Sequence, residues 1–227
     1  MQIRLDHTAK VAKNIKTFWF EPEKQINYVA GQFIEMYLPH EHADQRGQKH
    51  WFTLSSSPSE KLISITTKLA VGQVSTFKQA LFGLKIGDTV KISEPVGDFV
   101  LPKDAHMPLV FVAGGIGITP MRSMVKWLVD SAQKRNIHII YAVSSIGEVA
   151  FKNLFKSYGA KLEIVLSGQS DKLTGASILK LAGLDTQQLV YVSGPEPMTE
   201  KLEAELLAAG VPREKLVLDF FPGYPPV

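Results

Sequence analysis

The chain has 227 residues, 45% of them hydrophobic and 21% charged, with a formal net charge of +3 and no cysteine. Such a composition suits one large or two small packed domains and excludes a disordered chain, while the modest charge, gathered in no basic stripe, speaks against a nucleic-acid partner. The missing cysteines exclude disulfides, thiolate nucleophiles and cysteine-held iron–sulfur clusters.

Read in chain order, the N-terminal "MQIRLDHTAKVAKN" has charges from Arg4 onward, and no apolar run of membrane-spanning length follows it. A cytoplasmic chain without membrane insertion is therefore expected. The first hundred residues carry short β-rich runs, "KTFWF", "GQFIEMYL", "LISITTK" and "DTVKIS", spaced by Gly, Pro, Asn and Asp turn signals. In the third of them Ile63 and Ile65 alternate with Ser64 and Thr66, the period of a half-buried strand. Only "VSTFKQALFG" suggests a helix there, and an all-β barrel or sandwich is the natural class.

Beyond "GDFVLPKDAHMP" the pattern changes. Buried-strand runs "LVFVA", "IHIIYAV", "LEIVL", "LVYV" and "LVL" alternate with amphipathic segments, which predicts a parallel sheet covered by helices. A helix after Pro120 places Met121, Met124, Val125 and Leu128 on one face, with the proline at the first position; another runs from Thr199 to Ala209 and stops at Gly210. The division falls between Pro102 and Ala105, giving units 1–103 and 104–227.

Three motifs carry chemistry. In "VFVAGGIGITPM" a buried strand runs into Gly114, Gly115 and Gly117 and then a helix, so backbone N–H groups can approach a pyrophosphate; Pro120 stands where the third glycine of a Rossmann turn is usual. "VSGPEPM", Val192 to Met198, follows another buried strand and would lie at the same sheet edge, as a second wall of a cleft. In the β-half, "VGQVSTF" sets Gly72, Ser75 and Thr76 at the start of the one helix, either as an anion site or as a plain N-cap. A fourth stretch, "HWFTLSSSP" from His50 to Pro58, gathers two rings and four hydroxyls before a proline.

These pieces, with "AGQF", stand in the order found in the ferredoxin–NADP reductase-like flavoenzymes, and the chain resembles that family over essentially its full length. The resemblance implies an N-terminal antiparallel Greek-key β-barrel holding flavin, a C-terminal Rossmann-like parallel α/β domain binding NAD(P)H, no iron–sulfur domain and no metal site. It implies an FAD-dependent NAD(P)H oxidoreductase, with FMN as the alternative flavin, passing electrons to a separate protein or small-molecule acceptor such as a ferredoxin, a flavodoxin, another iron protein or free flavin.

By the same resemblance, the flavin strand comprises His50, Trp51, Phe52, Thr53, Leu54 and Ser55, with Phe52 stacking on the isoalloxazine, Thr53 near N5, and Ala30, Gly31 and Gln32 matching the preceding loop. His50 stands where the family's phosphate-pairing arginine is expected, and a histidine supplies no bidentate clamp. Thr66, Lys68 and the run Gly72, Gln73, Val74, Ser75 and Thr76 are the alternative phosphate contacts. Nicotinamide dinucleotide would lie on Gly115, Gly117, Ile118, Thr119 and Pro120, near Ser167, and against Ser193, Gly194, Pro195 and Met198. Ser193 replaces a cysteine common in relatives. Phe220, Phe221 or Tyr224 would shield the flavin, with Asp219 near N5, and Thr53, Ser193 and Asp219 are the catalytic candidates. Ser144 and Gly168 replace arginines found in relatives and point to NADH, although Lys172 is placed to meet a 2′-phosphate. His50 and Ser193 also motivate a second reading, a non-catalytic nucleotide-binding or complex-forming subunit whose redox site has decayed.

Overall fold

The computed structural model describes residues 1–69, 74–167, 173–183 and 188–221. Expectations at Gly72, Gln73, Gly168, Lys172 and Tyr224, and for the side chain of Phe221, lie outside the described residues.

The first unit comprises β1 (Gln2–Ala12), β2 (Ile15–Pro22), β3 (Phe33–Tyr37), β4 (Lys49–Thr53), β5 (Ile63–Lys68), α1 (Thr76–Gly83) and β6 (Thr89–Ile92). Its strands form one sheet in the order β4-β3-β6-β1-β2-β5 with antiparallel pairing. The two edges meet just beyond β4, where Leu54 bridges Ile65 and the Ser55 N–H donates to the Ser64 carbonyl at 2.8 Å. Closure makes the sheet barrel-like and leaves those edges paired. Register decides what faces inward. Ile34 lies opposite Phe52 and Met36 opposite His50, so Phe52 and His50 point into the barrel core with Phe77 of α1, whereas Trp51 and Thr53 share the other face with Glu35 and Phe33. The N-terminal strand β1 escaped the sequence reading because only Ile3 and Leu5 show clean alternation; from Asp6 onward its side chains are exposed or half-buried.

The second unit comprises β7 (Leu109–Gly114), a 3₁₀ turn at Gly115–Gly117, α2 (Ile118–Asp130), β8 (Ile137–Val143), α3 (Lys152–Tyr158), β9 (Lys161–Leu166), α4 (Gly175–Ala182), β10 (Leu189–Pro195), α5 (Glu196–Ala208) and β11 (Leu216–Phe221). The strands are all parallel, in the order β11-β10-β7-β8-β9. Chain order therefore reverses between β7 and β10, the switch point at which doubly wound sheets leave a crevice at their C-terminal edge. Alternate β7 residues serve opposite faces: Phe111 and Ala113 pack with α2 and α3, Val110 and Val112 with α4 and α5. Ala30 and Phe99 of the first unit join the α2 layer, so α2 lies between the parallel sheet and the barrel.

Both helices with a proline in their first turn start earlier than the sequence suggests. Pro120 is the third residue of α2, and α5 begins at Glu196 with Pro197 at the second position. The first four N–H groups of a helix have no partner within it, so a proline among them loses nothing.

Candidate functional site

A cavity of about 260 Å³ opens between the outer face of β3 and β4 and the end of β11, lined by Phe33, Trp51, Phe52, Thr53, Val96, Asp219 and Phe220. Trp51, Val96 and Phe220 are 46%, 45% and 51% exposed, which is unusual for side chains of this size and gathers them around one opening. Trp51 stands edge-on to Phe33 with ring centroids 5.3 Å apart. Thr53 from the barrel and Asp219 from the α/β unit are the two polar residues in this apolar lining.

Asp219 accepts a hydrogen bond from the Ser193 hydroxyl at 3.2 Å. β10 and β11 set this contact, because parallel pairing puts Ser193 level with Asp219. Burial raises the Asp219 carboxyl pKa to about 6; the Ser193 hydrogen bond opposes that shift and the Asp98 charge adds to it. A carboxyl so placed is poised to hold or release a proton near neutrality.

The glycine turn and "VSGPEPM" form one wall. A Cβ on Gly117 would come within 2.1 Å of the Ser193 carbonyl oxygen, and one on Gly114 within 2.4 Å of the Met198 sulfur. These glycines exist so that β7 and the start of α2 can press against β10 and α5. Gly115 differs. It holds a φ of +54°, and a Cβ there would meet nothing within 4 Å, so its backbone borders open space at the switch point. Ile118, Thr119 and Pro120 are buried, and the Thr119 hydroxyl closes its own turn on the Ile116 carbonyl at 3.0 Å. Gly194 packs on Met198, and Ser167 is exposed at the end of β9.

Several anticipated phosphate contacts sit differently. His50 is buried with its ring 4.0 Å from that of Phe77, and burial, followed by the Lys78 charge, pushes its pKa down to about 4. The ring is therefore neutral at pH 7. At the start of α1, Ser75 accepts from the Lys78 N–H at 3.2 Å, and the Asp44 carboxylate accepts from the Thr76 N–H at 3.0 Å. The N-cap reading of "VGQVSTF" thus describes this helix end, which an internal carboxylate already occupies; those backbone bonds hold the Asp44 pKa below its ordinary value. Val74 accepts from the Gln79 side chain at 3.0 Å. Thr66 is buried between Thr17 and Ser55, at 2.8 and 2.9 Å, and Lys68 pairs with Glu148 of the second unit at 2.8 Å. Leu54 is core.

The serine run turns inward. Ser55 bonds the hydroxyls of Ser64 and Thr66 at 3.0 and 2.9 Å, and Ser56 bonds Tyr28 at 2.9 Å and the Ser64 N–H at 2.8 Å. Arg122 and Ser123 of α2 then donate to the carbonyls of Ser55 and Ser56. Sequence reasoning missed Arg122 and its partner Glu60, and missed Phe33 and Val96. A charge on the apolar stripe of α2 was the available signal for the first.

The lining fits a flavin ring. A planar, largely apolar group with one polar edge matches aromatic walls carrying one hydroxyl and one carboxyl, and the open backbone at Gly115 matches a pyrophosphate.

Comparison with known proteins agrees. The oxidoreductase FAD-binding domain family matches residues 2–101 and the oxidoreductase NAD-binding domain family residues 111–204. Flavohemoprotein A of Dictyostelium discoideum is 29% identical over 96% of the chain, which spans 59% of that relative. The fold matches the flavohem-like FAD/NAD-binding domain of nitric oxide dioxygenase from Vibrio cholerae, with a TM-score of 0.81, 22% identity and 98% of each chain covered. Ferredoxin-NADP+ reductase from Plasmodium falciparum gives a TM-score of 0.81 at 15% identity, covering 97% of this chain and 95% of its own. Residues 2–101 and 111–204 thus belong to the oxidoreductase FAD-binding and NAD-binding domain families, and the two units share the fold of the ferredoxin–NADP reductase-like enzymes.

Proposed function

We propose that the chain oxidises NAD(P)H at a bound FAD and hands the electrons to a separate acceptor, with residues 1–103 as the flavin unit and 104–227 as the nicotinamide unit. One observation carries this reading: Thr53 and Asp219, from different units, line the same ring-walled cavity, and Ser193 bonds Asp219. The bound flavin supplies the acceptor for a hydride from nicotinamide C4 and can release electrons one at a time.

The protein's part is placement and proton handling. Phe33, Trp51, Val96 and Phe220 wall the ring and exclude water, whereas Phe52, expected to stack on it, meets the cavity from the barrel core with its ring against that of Phe77. Thr53 presents a hydroxyl to its polar edge. Asp219 holds a proton at a carboxyl oxygen, and Ser193 orients that carboxyl. Gly115 receives the nucleotide pyrophosphate, with Gly117, Ile118, Thr119 and Pro120 shaping the turn behind it, while Gly194, Pro195 and Met198 form the facing wall. Because His50 is neutral, the flavin phosphates fall to Lys68, which also pairs with Glu148, and to Lys78, whose ammonium also donates to the Lys68 carbonyl at 2.8 Å. Ser144 and Ser167, neutral at the ends of β8 and β9, favour NADH. The identity of the acceptor is left to its chemistry: a one-electron carrier able to reach a flavin edge beside Trp51 and Phe220.

A second reading has an observation of its own, since Asp44 closes the end of α1. Under it the chain is a nucleotide-binding subunit without redox activity. A visible spectrum of the purified protein, taken before and after anaerobic NADH and then NADPH, separates the two. Flavin bands that bleach faster with NADH support the proposal; a protein that stays colourless after incubation with FAD or FMN overturns it. Mass spectrometry of heat-released cofactor decides between FAD and FMN.

A further inference from the structure

The serine turn is joined to α2 by a buried cation. Arg122 is 9% exposed, yet its guanidinium reaches out of the nicotinamide unit to the barrel unit. Nη1 donates to the Ser55 carbonyl at 2.8 Å; Nη1 and Nη2 together grip the Glu60 carboxylate, the latter at 3.0 Å. The guanidinium carbon lies 5.4 Å from the Trp19 centroid and 5.9 Å from that of Phe151, one ring from each unit. Glu60 also accepts the Ser57 N–H at 2.6 Å, so the same carboxylate closes the serine turn and faces the arginine. Next along the helix, Ser123 donates to the Ser56 carbonyl.

Position in the chain gives this cluster its meaning. Ser55 lies two residues beyond Thr53, which lines the flavin cavity, and Arg122 lies five residues beyond Gly117, which touches the Ser193 backbone. A single guanidinium thus connects the strand that presents flavin to the turn that receives nicotinamide. A buried ion pair is weak as a source of stability, since apolar side chains of similar volume often replace it without loss, but it is strong as a register device because each partner has one satisfactory geometry. Lysine cannot substitute. Three directed donors in one plane satisfy Ser55 and Glu60 together, whereas an ammonium is a compact point charge.

We propose that Arg122, seated on Glu60 and the serine turn, is a positioning residue that fixes the separation of the flavin strand and the nicotinamide turn and thereby the efficiency of hydride transfer. This rests on the function proposed above. The expectation for Arg122→Lys is a split: flavin content and nucleotide affinity within about twofold of wild type, and a rate constant for flavin reduction in a single anaerobic turnover lower by about 10²-fold, the scale expected when reacting groups move by about 1 Å. Dithionite should reduce the variant's flavin as fast as wild type. Lys126→Ala, which removes an ion pair on the outer part of the same helix, should leave the rate within twofold.

A second readout needs no cofactor. In the chain without flavin, Arg122→Lys should speed amide hydrogen exchange at 55–57 and 115–117 together. Glu60→Gln, with the same shape and one charge fewer, serves if the lysine variant does not fold, and should show the same paired response. A lysine variant that transfers hydride at the wild-type rate overturns the proposal, as does faster exchange confined to the serine turn. If wild type itself is reduced by neither nucleotide, the proposed function fails, and paired exchange still tests the coupling by itself.

Discussion

Two polar regions of this molecule, the serine turn and the cavity acid, are satisfied to different degrees. Around the serine turn, Ser55, Ser56 and Thr66 each have at least two hydroxyl or backbone partners within 3.0 Å. At the cavity, Asp219 has one hydroxyl partner at 3.2 Å among the described residues and a carboxyl pKa raised to about 6. Fully connected hydroxyl networks rigidify a structure, whereas a carboxyl short of partners in a low-dielectric setting stores a protonation equilibrium. The contrast teaches where to look for chemistry: the hydroxyl-dense stretch is scaffold, and the sparsely bonded acid is the group we propose to react.

The largest effect should come from breaking the scaffold. Arg122→Ala leaves the half-buried Glu60 without its cation, and urea unfolding should show a loss of about 3 kcal/mol. Replacing both partners with methionine should restore much of that stability without restoring hydride transfer.

Next in size is Asp219→Asn. The shift of this carboxyl from 3.8 to about 6 corresponds to up to about 3 kcal/mol. Its sign is unfavourable to the fold at neutral pH: the native state binds the proton more tightly than the unfolded chain, so stability falls as pH rises from about 4 to about 6. The asparagine variant should lack that decline, be more stable than wild type at pH 7, and lose the acid-dependent limb of flavin reduction.

His50 sharpens the comparison from the other side. Its folded pKa near 4 lies below the model-compound value of 6.5, so its contribution is complete above pH 6.5 and is lost as pH falls toward 4, reaching about 2 kcal/mol at pH 5. His50→Leu should flatten this acid limb in pH-resolved thermal unfolding while leaving the Asp219 window in place. The smallest change is Ser193→Ala. Losing one hydroxyl donor, worth about 1 kcal/mol, should move the Asp219 titration further upward, as followed by carboxyl NMR, without altering flavin content.

Much of the architecture was legible in order and period. Alternation at Ile63 and Ile65 marked a strand correctly but not a half-buried one, since Ser64 and Thr66 are buried as well and enter the hydroxyl network; the change to continuous apolar runs after Pro102 reflects strands covered on both faces. The glycines of "AGGIG" read as room for a pyrophosphate, whereas Gly114 and Gly117 make room for Met198 and the Ser193 backbone, and Gly115 borders open space. Less legible was β1, where most side chains meet solvent and the pattern fades.

The site divides along the same line. The resemblance to the flavoenzyme family nominated Thr53, Ser193 and Asp219, by matching them to positions in its motifs. What the hydroxyl run does depended on barrel register: with Ile34 opposite Phe52 and Met36 opposite His50, the histidine goes inward and the tryptophan outward, a choice set by pairing across strands. Likewise, nothing within "TPMRSM" says that Arg122 reaches Ser55, 67 residues away in the chain. Backbone conformation answers to neighbours within a few residues and can be read from the sequence. The partner of a buried charge is settled when two units close on each other, and the tertiary structure alone decides it.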